Sequence, residues 1–329
     1  MAKKKKVIDK NRKKKGKIKY ILKKRRKLAV KEGTAVYGTD LQLQERKILS
    51  HVNQKPYFHK DDFVLYQGDC LKILEELPEN SIDMVFADPP YNLSNGGFTV
   101  HAGRQVSVNK GDWDKSRGFE SDYEFHLKWL SACKRVLKKN GTLWVSGTYH
   151  SIYQCGYAIQ SLGYHILNDI AWFKPTASPN LSCRYFTASH ETLIWARKDK
   201  EGKHTFNYED MRHKKWPDDF FKNDGKQMRS VWHIPEVESV WAMHTPQKEE
   251  KIFGKHPTQK PLALLERIIL ASTKAGNIVI DPFTGSSTTG LAAIKNGRKF
   301  IGIDTERDFL DLSIKRFNES SRDIKNRLI

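Results

Sequence analysis

From Phe63 onward, short apolar runs alternate with stretches of helical spacing, and this alternation restricts the chain to an α/β fold with a mostly parallel sheet. The strands read as FVLYQ (63–67), SIDMVFA (81–87), TLWVSG (142–147), HILNDIAWFK (165–174), ETLIWARK (191–198), NIVID (277–281) and KFIGID (299–304). Helical spacing runs through Leu71, Ile73, Leu74 and Leu77, then through 122–138, 149–162, 261–273 and 288–296, with a last helix after 304. SIDMVFA stops at Asp88-Pro89-Pro90, where proline forbids continuation. The helix at 122–138, with Phe125, Trp129, Ala132 and Val136 on one face, stops at Asn140-Gly141. Between 199 and 255 the pattern breaks: the stretch is rich in Lys, Asp, His, Trp and Met, and its apolar residues follow no period. It reads as an insertion with its own job. No internal repeat is visible.

The chain has 329 residues, room for one large domain or two modest ones. Its 58 basic and 38 acidic residues leave a net +20. The first 31 residues hold 17 Lys/Arg against one acid, Asp9, a net +16, so the other 298 carry only +4. This tail lacks the apolar segment and small-residue cleavage site of a signal peptide. It reads either as a binder of phosphate backbones, gaining affinity by counterion release, or as a solvated extension. No apolar run approaches the roughly 18 residues of a membrane helix. Cys70, Cys133, Cys155 and Cys183 form no CxxC pair and show no metal spacing, so thiols in a reducing cytoplasm are expected.

At 281–290, DPFTGSSTTG ends a strand in a Gly/Ser/Thr turn ahead of a helix, which lets backbone N–H groups approach a ligand. It is not a Walker A loop, which needs Lys where Leu291 stands, nor a dinucleotide G-x-G-x-x-G, whose second Gly is replaced by Ser287. Alone, such a turn is only a turn. The next strand, however, ends in Asp304, where a carboxylate can accept hydrogen bonds from ribose hydroxyls. The pair favours a nucleoside-bearing cofactor.

ADPPYN at 87–92 places Asp88 at the carboxyl edge of the sheet, where open α/β sheets bind ligands. Pro89 and Pro90 stiffen the chain, so Asp88 and the Pro89 carbonyl can converge as acceptors on an amino group, and Tyr91 offers a flat face for stacking. A rigid strand-ending turn with a surface aromatic is the plainer reading of the same residues.

Taken together, ADPPY, DPFTGSSTTG and the HPTQKP (256–261) before it resemble the β class of DNA amino-methyltransferases. Members of that class use S-adenosylmethionine and carry the catalytic motif ahead of the cofactor motif. The resemblance runs from about Phe63 to Phe317. LSNGG (93–97), QVSVNKGDWDK (105–115), SPNLSCRYF (178–186) and GKHPTQKP are similar to the DpnA-type adenine methyltransferases, whose target is GATC. The resemblance implies a Rossmann-like methyltransferase sheet, circularly permuted, with an inserted target-recognition region. It also implies methyl transfer to the N6 amine of adenine in DNA, within a restriction-modification system or by a solitary methylase. One departure stands out: the family usually has Gly where this chain has Ser287.

Carried over by motif, the resemblance makes Asp88, Pro89, Pro90 and Tyr91 catalytic. Adenine's amine is a poor nucleophile because its lone pair is delocalised into the ring. Acceptance of both its N–H bonds by Asp88 and the Pro89 carbonyl favours a pyramidal nitrogen, and the rest is orientation, with no metal. The base must leave the duplex, to stack on Tyr91. Trp172 is a candidate for its other face, or an ordinary core aromatic. Asp281, Phe283, Gly285, Ser286, Thr288 and Thr289 match the cofactor loop, Asp304 the ribose acceptor, and Thr258 and Lys260 the segment closing over the methionine end. Asp69 matches the acidic residue near the cofactor adenine, and reads independently as a helix N-cap.

The implied division is a basic tail and lead-in (1–55), a catalytic half (56–198), a target-recognition insert (199–255) and a cofactor-binding half (256–329). Within the insert, Lys214, Lys215, Lys222, Lys226, Arg229 and Lys248 could meet phosphates or guanine edges. The loop 94–118, with Arg104, Lys110, Lys115 and Arg117, could close over DNA. The expected partner is double-stranded DNA, with single-stranded DNA and a homodimer as further expectations, in the cytoplasm of a bacterium. N4-cytosine methylation is the nearest alternative, though that branch more often has Ser at the position of Asp88. A basic DNA-binding protein with a relic fold is the alternative of another class, and RNA a third substrate.

Overall fold

A computed structural model describes residues 47–94, 114–175, 183–216, 219, 221–234 and 259–326, together with the backbone of two short strands at 98–101 and 104–107. In chain order the elements are β1 (Phe58–Lys60), β2 (Phe63–Gln67), α1 (Cys70–Glu76), β3 (Ile82–Ala87), β4 (Phe98–His101), β5 (Arg104–Ser107), α2 (Phe119–Val136), β6 (Leu137–Gly147), α3 (Ile152–Ser161), β7 (His165–Phe173), β8 (His190–Arg197), α4 (Tyr208–His213), β9 (Val231–His233), α5 (Leu262–Ser272), β10 (Ile278–Asp281), α6 (Thr288–Lys295), β11 (Lys299–Asp304) and α7 (Arg307–Asn326). The chain divides into two compact units, Met1–His51 and Val52–Ile329. The second carries all of these elements. No described helix is long and apolar enough to cross a membrane.

Nine strands form one sheet in the order β1-β2-β11-β10-β3-β6-β8-β7-β9. Five of its eight pairings are parallel, as the alternation requires. The late strands β10 and β11 are inserted between β2 and β3. Val279 pairs with Met84 and Ile280 with Val85, so Asp281 and Asp88, nearly two hundred residues apart in sequence, leave the sheet side by side at its carboxyl edge. This permuted order brings the two motifs together. β8 runs antiparallel between β6 and β7, which puts its first residues, rather than its last, at that same edge.

Each expected strand and helix is present, with boundaries shifted by a few residues. Local chemistry accounts for several ends. Asp69 caps α1, accepting from the Leu71 N–H at 2.9 Å. In α2, Glu120 and Asp122 sit in the first turn and Lys134 and Arg135 in the last, each favourable to the helix dipole. Around the sheet, Phe63 stacks on Phe317 of α7 (4.4 Å, 17°) and Trp144 on Trp195 (5.0 Å, 12°). Helix α6 packs so closely that a Cβ on Gly290 would meet Phe300 at 2.5 Å and Phe63 at 2.6 Å.

Two expectations are corrected. The stretch from 199 is not patternless throughout: α4 packs beside α5, and β9 extends the sheet beyond β7, with Trp232 opposite Trp172. Elements of six and three residues are too short to display a period. The stretch expected as a loop at 94–118 contains the antiparallel pair β4–β5. A buried ion pair ties residue 219 to α5, with Arg267 donating to Asp219 at 2.5 Å and its guanidinium 4.6 Å and 5.1 Å from the ring centroids of Trp216 and Trp232.

Candidate active site

The turn after β10 is built by backbone and side chains together. Thr284 N–H donates to the Ile303 carbonyl at 2.9 Å, Ser287 N–H to the Thr284 carbonyl at 2.7 Å, and Gly285 N–H to the Asp304 carboxylate at 2.8 Å. Gly285 (φ 49°) and Ser287 (φ 53°) both adopt the left-handed conformation. That conformation costs a non-glycine residue about 1–2 kcal/mol, which explains why glycine suits position 287. Here the Ser287 hydroxyl bonds Thr284 Oγ1 at 2.8 Å, an interaction glycine lacks. Helix α7 clamps the turn: Ser313 donates to the Gly285 carbonyl at 2.9 Å, and buried Arg316 donates to the Ser286 carbonyl and to Thr288 Oγ1.

Two buried carboxylates flank this turn. Asp281 accepts from the Phe283 N–H (3.0 Å) and the Thr289 hydroxyl (2.7 Å), and desolvation pushes its pKa up to about 7. Asp304 accepts from Gly285 and Glu306 N–H groups, and desolvation pushes it up to about 6. Asp69 and Asp88 line the same cavity. A pocket lined by five carboxylates (Asp69, Asp88, Asp281, Asp304 and Glu306) against two cations, Arg117 and Lys260, with backbone N–H groups at its turn, fits a ligand that carries hydroxyl donors and positive charge. S-adenosylmethionine has both, in its ribose, its ammonium and its sulfonium.

At the far end of the cavity Asp88 is engaged on both oxygens. The Tyr91 hydroxyl donates to Oδ1 at 2.5 Å and Lys260 Nζ to Oδ2 at 2.5 Å. Glu191, the second residue of β8, lies 3.8 Å from Lys260 Nζ, receives Lys174 in an ion pair, and stands 3.4 Å from the Tyr91 hydroxyl. The Tyr91 phenol is held protonated by burial, then by the charges of Asp88 and Glu191. Buried Asp114 accepts from the N–H groups of Tyr91, Asn92 and Leu93, holding the segment after the prolines.

Of the residues singled out from sequence, Asp69, Asp88, Pro90, Lys260, Asp281, Phe283, Gly285, Ser286, Thr288, Thr289 and Asp304 line one cavity. Pro89 and Tyr91 lie beside it and are buried. Trp172 is corrected: it is 1% exposed, within the core cluster, and presents no open face for a base. Alternation along β7 points it inward with Ile170. Lys214, Lys215, Lys226 and Arg229 are exposed, whereas Lys222 is half-buried and donates to the Arg212 carbonyl. Arg117 lines the cavity. Thr258, Lys110, Lys248, the Arg104 side chain and the tail lie outside the described residues. Sequence reasoning missed Glu191, Lys174, Ser313 and Arg316, which belong to no motif, and gave no role to Asp114, which lies within QVSVNKGDWDK (105–115).

Residues 82–315 match the family model for DNA methylases. The chain belongs to the DNA methylase family. Relatives of this methylase include the type II methyltransferase M2.DpnII of Streptococcus pneumoniae, 51% identical over 80% of this chain and 92% of that protein. M2.LlaDCHI of Lactococcus lactis subsp. cremoris, also a type II methyltransferase, is 50% identical over 81% and 93%. Among solved structures, the M1.HpyAVI–SAM complex aligns with the methylase at a TM-score of 0.54 and 26% identity, over 78% of this chain and 99% of the other. The α/β methyltransferase fold expected from the motifs is the fold observed.

Proposed function

We propose that the chain is an S-adenosylmethionine-dependent methyltransferase acting on the N6 amine of adenine in DNA, within GATC, as the modification arm of a type II restriction-modification system. The observation that carries this is the convergence of Asp88 and the Asp281–Asp304 turn on one cavity, through the β3–β10 pairing. The type II names of relatives at half identity support the system. The resemblance of 93–97, 105–115, 178–186 and 254–261 to DpnA-type enzymes supports the site, and an aspartate at position 88 favours adenine over cytosine.

In this reading S-adenosylmethionine supplies an electrophilic methyl group. Asp304 accepts the ribose hydroxyls, the clamped turn at 285–288 packs against the ligand, and Asp281 and Asp69 complement its positive and polar ends. Asp88 and the Pro89 carbonyl accept the two N–H bonds of the target amine. The negative charge of Asp88 would offset the positive charge that develops on nitrogen as the N–C bond forms and the sulfonium S–C bond breaks, after which the nitrogen loses one proton to solvent. The insert at 199–255 reads the target: β9 ends at His233 beside Phe173, on the catalytic edge, and the chain re-enters the cavity wall at Gln259 and Lys260.

The test is methylation of a GATC duplex with labelled cofactor, followed by digestion to nucleosides. N6-methyladenine confined to duplexes with an intact GATC is expected. N4-methylcytosine, or adenine methylation indifferent to the site, would overturn the reading.

A further inference from the structure

Both oxygens of Asp88 already accept a donor, the Tyr91 hydroxyl at one and the Lys260 ammonium at the other, each at 2.5 Å. Each oxygen keeps a second lone pair, but the carboxylate is only 11% exposed, so an amine that is to donate to it competes with one of these donors for the same buried group. Tyr91 has little room to yield: it is 4% exposed, with its hydroxyl 3.3 Å from Ser146 Oγ. Lys260 reaches Asp88 on a four-carbon stem that can swing. Its Nζ also lies over the Tyr91 ring, 5.2 Å from the centroid, where a stacked base would sit. One ammonium thus covers both the acceptor and the aromatic face.

Driving a buried ammonium off its carboxylate with nothing to receive it is heavily unfavourable. A receiver is present. Glu191 Oε2 is 3.8 Å from Lys260 Nζ, while Oε1 is held by Lys174. A movement of about 1 Å brings Nζ to charge-assisted hydrogen-bond distance of Glu191. Side-chain exposures of 7%, 11% and 13% for Lys260, Asp88 and Glu191 keep the exchange out of bulk water.

We propose that Lys260 holds the seat of the target amine at Asp88 while no base is present, and that Glu191 is the positioning residue that takes the ammonium over when a base enters. This rests on the reading of Asp88 as the acceptor of the target amine. Lys260 then exchanges one carboxylate for another and is never left unpaired, and the incoming amine finds Asp88 Oδ2 vacated.

The experiment compares binding, in the presence of S-adenosylhomocysteine, to a GATC duplex carrying adenine at the target and to one carrying unsubstituted purine, which lacks the amine. The wild type should prefer adenine by about three- to tenfold, the weight of one hydrogen bond. Glu191→Gln should lose that preference while binding S-adenosylhomocysteine and the purine duplex as the wild type does. Lys174→Met should keep it. Lys260→Met, with no ammonium to displace, should exceed the wild-type preference and restore it when combined with Glu191→Gln. A Glu191→Gln variant that still prefers adenine, a Lys174→Met variant that loses as much, or a Lys260→Met variant that loses the preference overturns the proposal. A wild type indifferent to the amine overturns the Asp88 reading first, and the proposal with it.

Discussion

Replacing Asp304 by Asn should make the ligand-free protein more stable and the cofactor complex weaker. Burial raises the Asp304 pKa from 3.8 to about 6. With the folded value above the unfolded one, the group's favourable contribution is complete below about pH 4 and is lost as pH rises through about 6. At neutral pH the ionised carboxylate therefore costs the fold about 3 kcal/mol, the equivalent of that pKa difference. Asparagine removes the charge but keeps one good acceptor, whereas Asp304 serves both Gly285 and Glu306 N–H groups. The lost acceptor costs about 1–2 kcal/mol. A net gain of about 1–2 kcal/mol remains, a rise of a few degrees in melting temperature. Against this, ribose hydroxyls lose a charged acceptor, weakening S-adenosylmethionine by about 1–3 kcal/mol. Protonation of Asp304 should by itself lower wild-type affinity about tenfold between pH 7 and pH 5, and the variant should keep only the dependence that Asp281, raised to about 7, contributes over the same range. Thermal melting without ligand and calorimetric titration at both pH values measure all three effects. A variant that melts lower and binds the cofactor unchanged would refute the electrostatic account of this site.

Under the proposed reading, in which Asp88 faces the amine more than the cofactor, Asp88→Ala should abolish methyl transfer while calorimetry finds cofactor binding within about tenfold; near-normal turnover would exclude the mechanism. Asp219→Ala strands the guanidinium of Arg267, 4% exposed, and should cost about 3–5 kcal/mol in urea unfolding, with part of the loss recovered in the double variant with Arg267→Met. Gly290→Ala drives a methyl into Phe300 and Phe63 and should cost about 1–3 kcal/mol in the same assay. Deleting residues 1–31, which carry a net +16, should weaken binding to specific and unrelated duplexes alike. Each lost phosphate contact should lower the slope of log K against log salt by about 0.9. An unchanged slope would make the tail a solvated extension, and a changed methylation site would place recognition there.

The strands and helices of the body were legible because each rests on a window of a few residues, such as apolar spacing or a proline pair after Ala87, although the Asn140-Gly141 expected to stop α2 lies inside β6 and the helix ends earlier, at Val136. The two motifs were legible for the same reason, since a strand-ending DPPY and a turn-forming FTGSSTTG are local objects. Legibility failed where the window was too short, as in α4 and β9, or where alternation along a strand decided the outcome. Trp172 looks available in sequence and is buried because β7 turns it toward Ile170 and the core.

What the sequence by itself determined is therefore the longer strands and helices of the body, the two motifs, and the concentration of charge in the first 31 residues. Only the tertiary structure decided which side chains meet. β10 enters the sheet beside β3, so Asp281 and Asp88 share an edge. β8 runs backwards, so Glu191 stands at its catalytic end rather than at the far side of the sheet. α7 folds over the cofactor turn, so Arg316 becomes part of it. The physical reason is that periodicity and turn chemistry act along a few residues of chain, whereas strand order and direction are set by burying every apolar face at once. The pairing of Lys260 with Asp88 spans 172 residues, and no local pattern carries it.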